Sequence, residues 1–95
     1  PGGENVYPAE VEAVILQHPA VERVSVIGVP DEKFGEGVKA VCVLKAGQQL
    51  DAKALIAFVG DRIARYKKPG YVQFVERLPM QGDAIDRVKV KELYG

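Results

Sequence analysis

Apolar positions along the chain alternate between helical spacing and near-continuous runs, and this alternation predicts the elements. Pro8 suits the first position of a helix, and Glu10 and Glu12 put negative charge near the positive end of its dipole. Val11, Val14, Ile15 and His18 then share one face, and Pro19 stops the helix because proline disfavours helical geometry in the residue before it. Residues 21–29 are rich in β-branched side chains and predict a strand with Val24 and Val26 on one side. Residues 30–37 are polar and punctuated by glycine, a connection, whereas residues 38–44 are apolar except for Lys39 and predict a central strand covered on both faces. Asp51 can cap a helix running through Tyr66 on a stripe of Leu55, Ile56, Val59, Ile63 and Tyr66. Gly60 weakens that helix by about 1 kcal/mol relative to alanine without interrupting the stripe. Pro69-Gly70 breaks the chain, residues 71–75 predict a third strand, and residues 78–84 a loop. Asp86 caps a last helix to Tyr94, with Ile85 and Val90 placed to form a hydrophobic staple.

The order helix, strand, strand, helix, strand, helix predicts an α+β fold: a small mixed sheet of three main strands with the helices packed on one face. The glycine-rich segment before Pro8 could add a short N-terminal strand. With 95 residues the chain is one domain, and 47% apolar against 27% charged residues excludes a disordered chain. Thirteen basic and thirteen acidic residues balance, which removes the electrostatic case for nucleic acid or an anionic membrane as partner. No apolar run approaches the ~20 residues of a membrane span. One cysteine, Cys42, cannot form an internal disulfide, so the expected location is cytoplasmic.

Little of this composition suggests a self-contained catalytic site. His18 is the sole histidine, so a multi-histidine metal site is excluded, no metal is expected, and its place on an apolar helix face favours a structural role. Cys42 lies within an apolar strand, where burial makes a thiol inert. Gly2-Gly3-Glu4-Asn5 would let backbone approach a ligand closely, with Glu4 or Asn5 to orient it, and would equally serve as an ordinary loop. Lys67 and Lys68 follow a helix, where the dipole favours cations whatever their function, and the same pair could meet a phosphate.

Several ordered blocks together are far more specific than any of these features. GGENVYPAEVE, HPAV, VIGVPDEKFGE, YKKP and LP follow one another at separations that resemble the C-terminal domain of adenylate-forming acyl-CoA synthetases, nearest to the bacterial fatty-acid and medium-chain acyl ligases. The resemblance covers essentially the whole chain. It implies a mobile lid over a large N-terminal adenylation domain, in an enzyme that uses ATP, Mg2+ and coenzyme A to convert a carboxylic acid through an acyl-adenylate to its thioester. Presenting different groups to one pocket in turn lets that pocket serve two transition states. By the resemblance, Gly2, Gly3, Glu4 and Asn5 belong to the loop facing the active site in the thioester state, where the glycines leave room for the pantetheine arm. Lys67 and Lys68 would lie near that surface as phosphate contacts.

The chain departs from the family pattern in one loop. There the family carries a lysine, in LP-x-T-x-x-GK, whose cation offsets charge on the α-phosphate during adenylation. The corresponding Leu78-Pro79-Met80-Gln81-Gly82-Asp83-Ala84 is one residue shorter and has Asp83 or Ala84 at that place. Arg87 and Lys89 are the nearest cations and fall on the last helix. Residues missing from this loop, deliberate removal of the lysine, or a divergent domain would each account for the difference, and the match resuming at Ile85-Asp86-Arg87 favours the first. The large domain lies outside these residues in this reading, so the chain alone is expected to bind no cofactor, to have no ligase activity, and to self-associate through the face the large domain would cover. A stand-alone ferredoxin-like binding module needs a full strand before the first helix, for which PGGENVY is too short and glycine-rich. A lid homologue that regulates a ligase in trans is the third alternative.

Overall fold

The structure, a computed structural model, describes residues 7–32, 35–64 and 67–95. Helix α1 spans Pro8–Ile15, strands β1 and β2 span Val21–Asp31 and Gly35–Leu44, α2 spans Ala52–Gly60 and β3 spans Tyr71–Phe74. Two short strands, β4 (Met80–Gln81) and β5 (Ala84–Ile85), precede the last helix, α3 (Arg87–Tyr94). The sheet has the order β1-β2-β3, antiparallel between β1 and β2 and parallel between β2 and β3, so it is mixed and β2 is central. The N-terminal strand expected from the glycine-rich segment lies outside the described residues.

Local chemistry accounts for the helix starts. Pro8 opens α1, the Asp51 carboxylate accepts from the Ala54 N–H at 2.7 Å, and the Asp86 carboxylate accepts from the Lys89 N–H at 3.1 Å. The helix ends come earlier than the apolar stripes suggest. After α1, Gln17 and His18 donate to carbonyls three residues back, a tightening that takes the chain out of the helix ahead of Pro19. After Gly60, Asp61 caps α2, and Ile63 packs on the core from outside the helix rather than along it.

Helices cover both faces of the sheet, which corrects the one-face expectation. On one face, Val11, Val14 and Ile15 of α1 and Leu55 and Val59 of α2 pack against Val24, Val26, Ala40 and Cys42. On the other, Val90 of α3 and Leu78 pack against Ile27, Val29, Val41 and Val43. Consecutive residues of a strand point to opposite faces, so apolar runs in β1 and β2 require cover on both. The glycine-punctuated stretch at 30–37 also departs from the expected connection, because Val29, Pro30 and Asp31 continue the antiparallel ladder opposite Gly37, Glu36 and Gly35. Backbone pairing carries this extension past the apolar core, and Pro30 is tolerated because β1 is an edge strand.

Candidate functional site

The loop that departs from the family pattern is an ordered hairpin rather than an irregular loop. Met80 pairs with Ile85 and Gln81 with Ala84, leaving Gly82 and Asp83 as a two-residue turn. Gly82 has φ +63° and Asp83 has no positive φ, the sign pattern of a type II′ turn, which needs glycine first. The Asp86 N–H donates to the Pro79 carbonyl at 2.9 Å and closes the base of the hairpin directly before α3. Asp83 and Ala84 are exposed at the tip, and the segment contains no cation.

The two nearest cations are placed by α3, and their settings differ. Arg87, its first residue, donates to the Glu12 carboxylate at 2.5 Å. That hydrogen bond pushes the Arg87 guanidinium above its ordinary pKa, with the charge of Glu12 adding to it and partial burial opposing it. Lys89 is exposed on the first turn. Neither sits within the hairpin.

Lys67 lies against α1: its ammonium is 3.0 and 3.1 Å from the two carboxylate oxygens of Glu10, in the first turn of that helix. A partly exposed pair of this kind contributes about 0–1 kcal/mol. Lys68 is exposed and makes no hydrogen bond or ion pair among the described residues. The structure thus places Lys67 beside the helix that follows Gly2, Gly3, Glu4 and Asn5, which themselves lie outside the described residues.

His18 and Cys42 have structural settings. The His18 Nδ1 accepts from the Ala20 N–H at 3.1 Å, and its ring meets Phe58 edge-on with centroids 4.8 Å apart. The Arg62 guanidinium stacks 3.5 Å over the other partner of that contact, the Phe58 ring. Cys42 is fully buried, and desolvation pushes its thiol up to about 12, away from the thiolate a nucleophile needs.

Two clusters were invisible to spacing arguments. The Tyr71 hydroxyl donates to the Asp31 carboxylate at 2.9 Å, which raises the phenol's pKa, and a Cβ on Gly37 would lie 3.1 Å from both side chains. Only glycine leaves this contact at the strand ends undisturbed. Glu12 is the second: it is buried, accepts from the Val26 N–H at 2.8 Å through one oxygen and from Arg87 through the other. Its position on the helix suggested a dipole contact, and nothing in the spacing of residues 12, 26 and 87 signals their meeting.

Among the described residues no group of three or more His, Cys, Asp or Glu side chains could hold a metal ion, and no helix is long and apolar enough to cross a membrane.

A mixed three-stranded sheet with helices on both faces and a tight hairpin before the last helix defines a small α+β fold. Residues 10–84 match the AMP-binding enzyme C-terminal domain family, and the chain belongs to that family. It is 45% identical over 99% of its length to a feruloyl-CoA synthase of Amycolatopsis sp, of which it covers 19%. A solved fatty acyl CoA synthetase of Mycobacterium tuberculosis superposes with a TM-score of 0.90 and 42% identity, over 98% of this chain and 18% of that one. ATP-bound MatB of Rhodopseudomonas palustris gives 0.91 and 39%, over 98% and 19%. The chain spans about a fifth of the length of these relatives.

Proposed function

We propose that the chain is the mobile lid of an ATP-dependent acyl-CoA ligase, which joins a carboxylic acid to coenzyme A with formation of AMP and pyrophosphate. The observation that carries this reading is the superposition of nearly the whole chain on one part of a fatty acyl CoA synthetase at a TM-score of 0.90. The partner is a large N-terminal adenylation domain, which would hold the acid, ATP and its Mg2+. In this reading Gly2, Gly3, Glu4 and Asn5 face the active site during thioester formation. Lys68 is the better placed of the two lysines to meet a phosphate of coenzyme A, because Glu10 already engages Lys67. A cytoplasmic location is proposed with the same function, supported by a lone buried thiol.

The 80–85 hairpin divides the two half-reactions. Without a lysine there, the charge that develops on the α-phosphate during adenylation has no cation from this segment to offset it. Thioester formation draws on the other surface and needs no such group. The test joins this chain to the large domain of a relative such as MatB and follows each half-reaction. Thioester formation from supplied acyl-adenylate is expected at a rate well above that of the large domain alone. Pyrophosphate release is expected to be slower by about 10²-fold or more than with the relative's own lid, the scale of losing one charge-stabilising group. No thioester formation would overturn the lid reading, and full-rate pyrophosphate release would overturn the division. A tryptic peptide of the mass of LPMQGDAIDR confirms that the assayed sample lacks the lysine.

A further inference from the structure

Glu12 is a buried carboxylate to which the proposed function gives no role. It sits at the fifth residue of α1, on one face of the sheet, and meets Arg87, the first residue of α3, on the other. Between them runs the edge of β1 that is unpaired among the described residues, whose Val26 N–H donates to the remaining Glu12 oxygen. The Gly28 carbonyl, two residues on, accepts from Lys91 of α3. The outward backbone groups of an edge strand need partners, and side chains from both helices supply them here. We infer that Glu12 is a positioning residue: through Arg87 it pins the start of α3, and with it the 80–85 hairpin, to α1 and the edge of β1, so that elements on opposite faces move as one body.

The physical case rests on where the contact falls. Apart from Val90, α3 has no fully buried side chain, and Val88 and Leu93 are exposed. Apolar burial therefore fixes the middle of the helix and leaves its first turn to be placed by directional bonds. The Arg87–Glu12 bond is charge-assisted, and the carboxylate is itself held by Val26, so the anchor point cannot drift. Arg87 directly follows Asp86, which closes the hairpin through Pro79 and caps α3 through Lys89. Displacing Arg87 displaces the hairpin. The bearing of this pin on catalysis rests on the lid function proposed above, but the coupling is a property of this chain alone and can fail while that function stands.

Backbone amide exchange of the 95-residue chain, read by NMR, tests the pin. In Arg87→Met and in Glu12→Gln, which retains an oxygen for the Val26 N–H, exchange at Asp86 and Val90 is expected to rise about tenfold, while Val26 and the β1–β2 ladder keep their protection. Arg87→Lys should restore most of it. Spin labels at Ala9→Cys and Asp83→Cys, with buried Cys42 unlabelled, should give one narrow distance distribution that broadens when Arg87→Met is added. Unchanged exchange at Asp86 and Val90 would overturn the inference. So would a uniform rise across the whole chain, or an effect of Arg87→Met without one of Glu12→Gln.

Discussion

The two faces of the sheet use the same two strands yet are closed by different forces. On the α1–α2 face, Val11, Ile15, Leu55 and Val59 are fully buried against Val24, Val26, Ala40 and Cys42, and aliphatic contact accounts for most of the closure. On the α3 face, one buried valine is supplemented by directional bonds at three points: Arg87 to Glu12, Lys91 to the Gly28 carbonyl, and Lys39 to the Tyr94 carbonyl. Apolar burial is non-directional and scales with area, so it stabilises without specifying placement closely. Hydrogen bonds add less net stability but fix position. The first face thus sets how stable the domain is. The second sets where the hairpin sits.

The largest test of this contrast compares one core residue from each helical layer. Leu55→Ala should cost about 2–5 kcal/mol, much of the stability of a chain this size. Val90→Ala, equally buried, removes less apolar volume and should cost about 1–2 kcal/mol. Urea denaturation measures both. Equal losses would mean that α3 contributes as much apolar stabilisation as the opposite layer, and the contrast would collapse.

What could be read from the sequence follows the same division. Asp51, Asp86 and Pro8 announce the helix starts because capping is decided within a few residues. The runs around Val24 to Val29 and Ala40 to Val43 announce β1 and β2, and their two-sided burial already contained the signal for helices on both faces. The 80–85 hairpin escaped because two-residue strands carry no period to detect, although Gly82-Asp83 is good turn chemistry. The apolar stripe that runs on to Ile63 overstated α2, since a residue can pack on the core after leaving the helix. The family blocks assign the site loops by resemblance alone, and residues 2–5 lie outside the described residues. Glu12 and Arg87 were beyond reach, because a pair 75 residues apart is set by the fold.

Cys42, fully buried under α1 and α2, reports whether water reaches the first face. Its thiol is pushed up to about 12 from an ordinary 9.0 by desolvation, so the folded state holds the neutral form while the unfolded chain ionises from pH 9 upward. The folded pKa is the higher one. The stabilisation is therefore fully present below pH 9 and is lost as pH rises towards 12. By pH 10 the loss should be about 1.4 kcal/mol relative to pH 8, the effect of one pH unit on one differentially bound proton. Cys42→Ala, measured in parallel by urea denaturation, removes this contribution and leaves that of the lysines and tyrosines. An identical pH dependence in the two proteins would mean that water or a conformational opening reaches the α1–α2 face.

The smallest expected effect probes the second face at the end remote from the hairpin. Lys39 projects from β2 to the Tyr94 carbonyl at 2.7 Å, where a cation meets both an unpaired helix carbonyl and the negative end of the dipole. Lys39→Met keeps most of the aliphatic stem against the sheet and removes only the ammonium. The loss should be about 0.5–1.5 kcal/mol, with amide exchange raised in the last turn of α3 and unchanged at Asp86. If Asp86 also lost protection, α3 would be shifting as a rigid rod and the hairpin would depend on both of its ends. If only the last turn responds, the helix is held independently at its two ends, and the hairpin's position is decided where α3 begins, at Arg87.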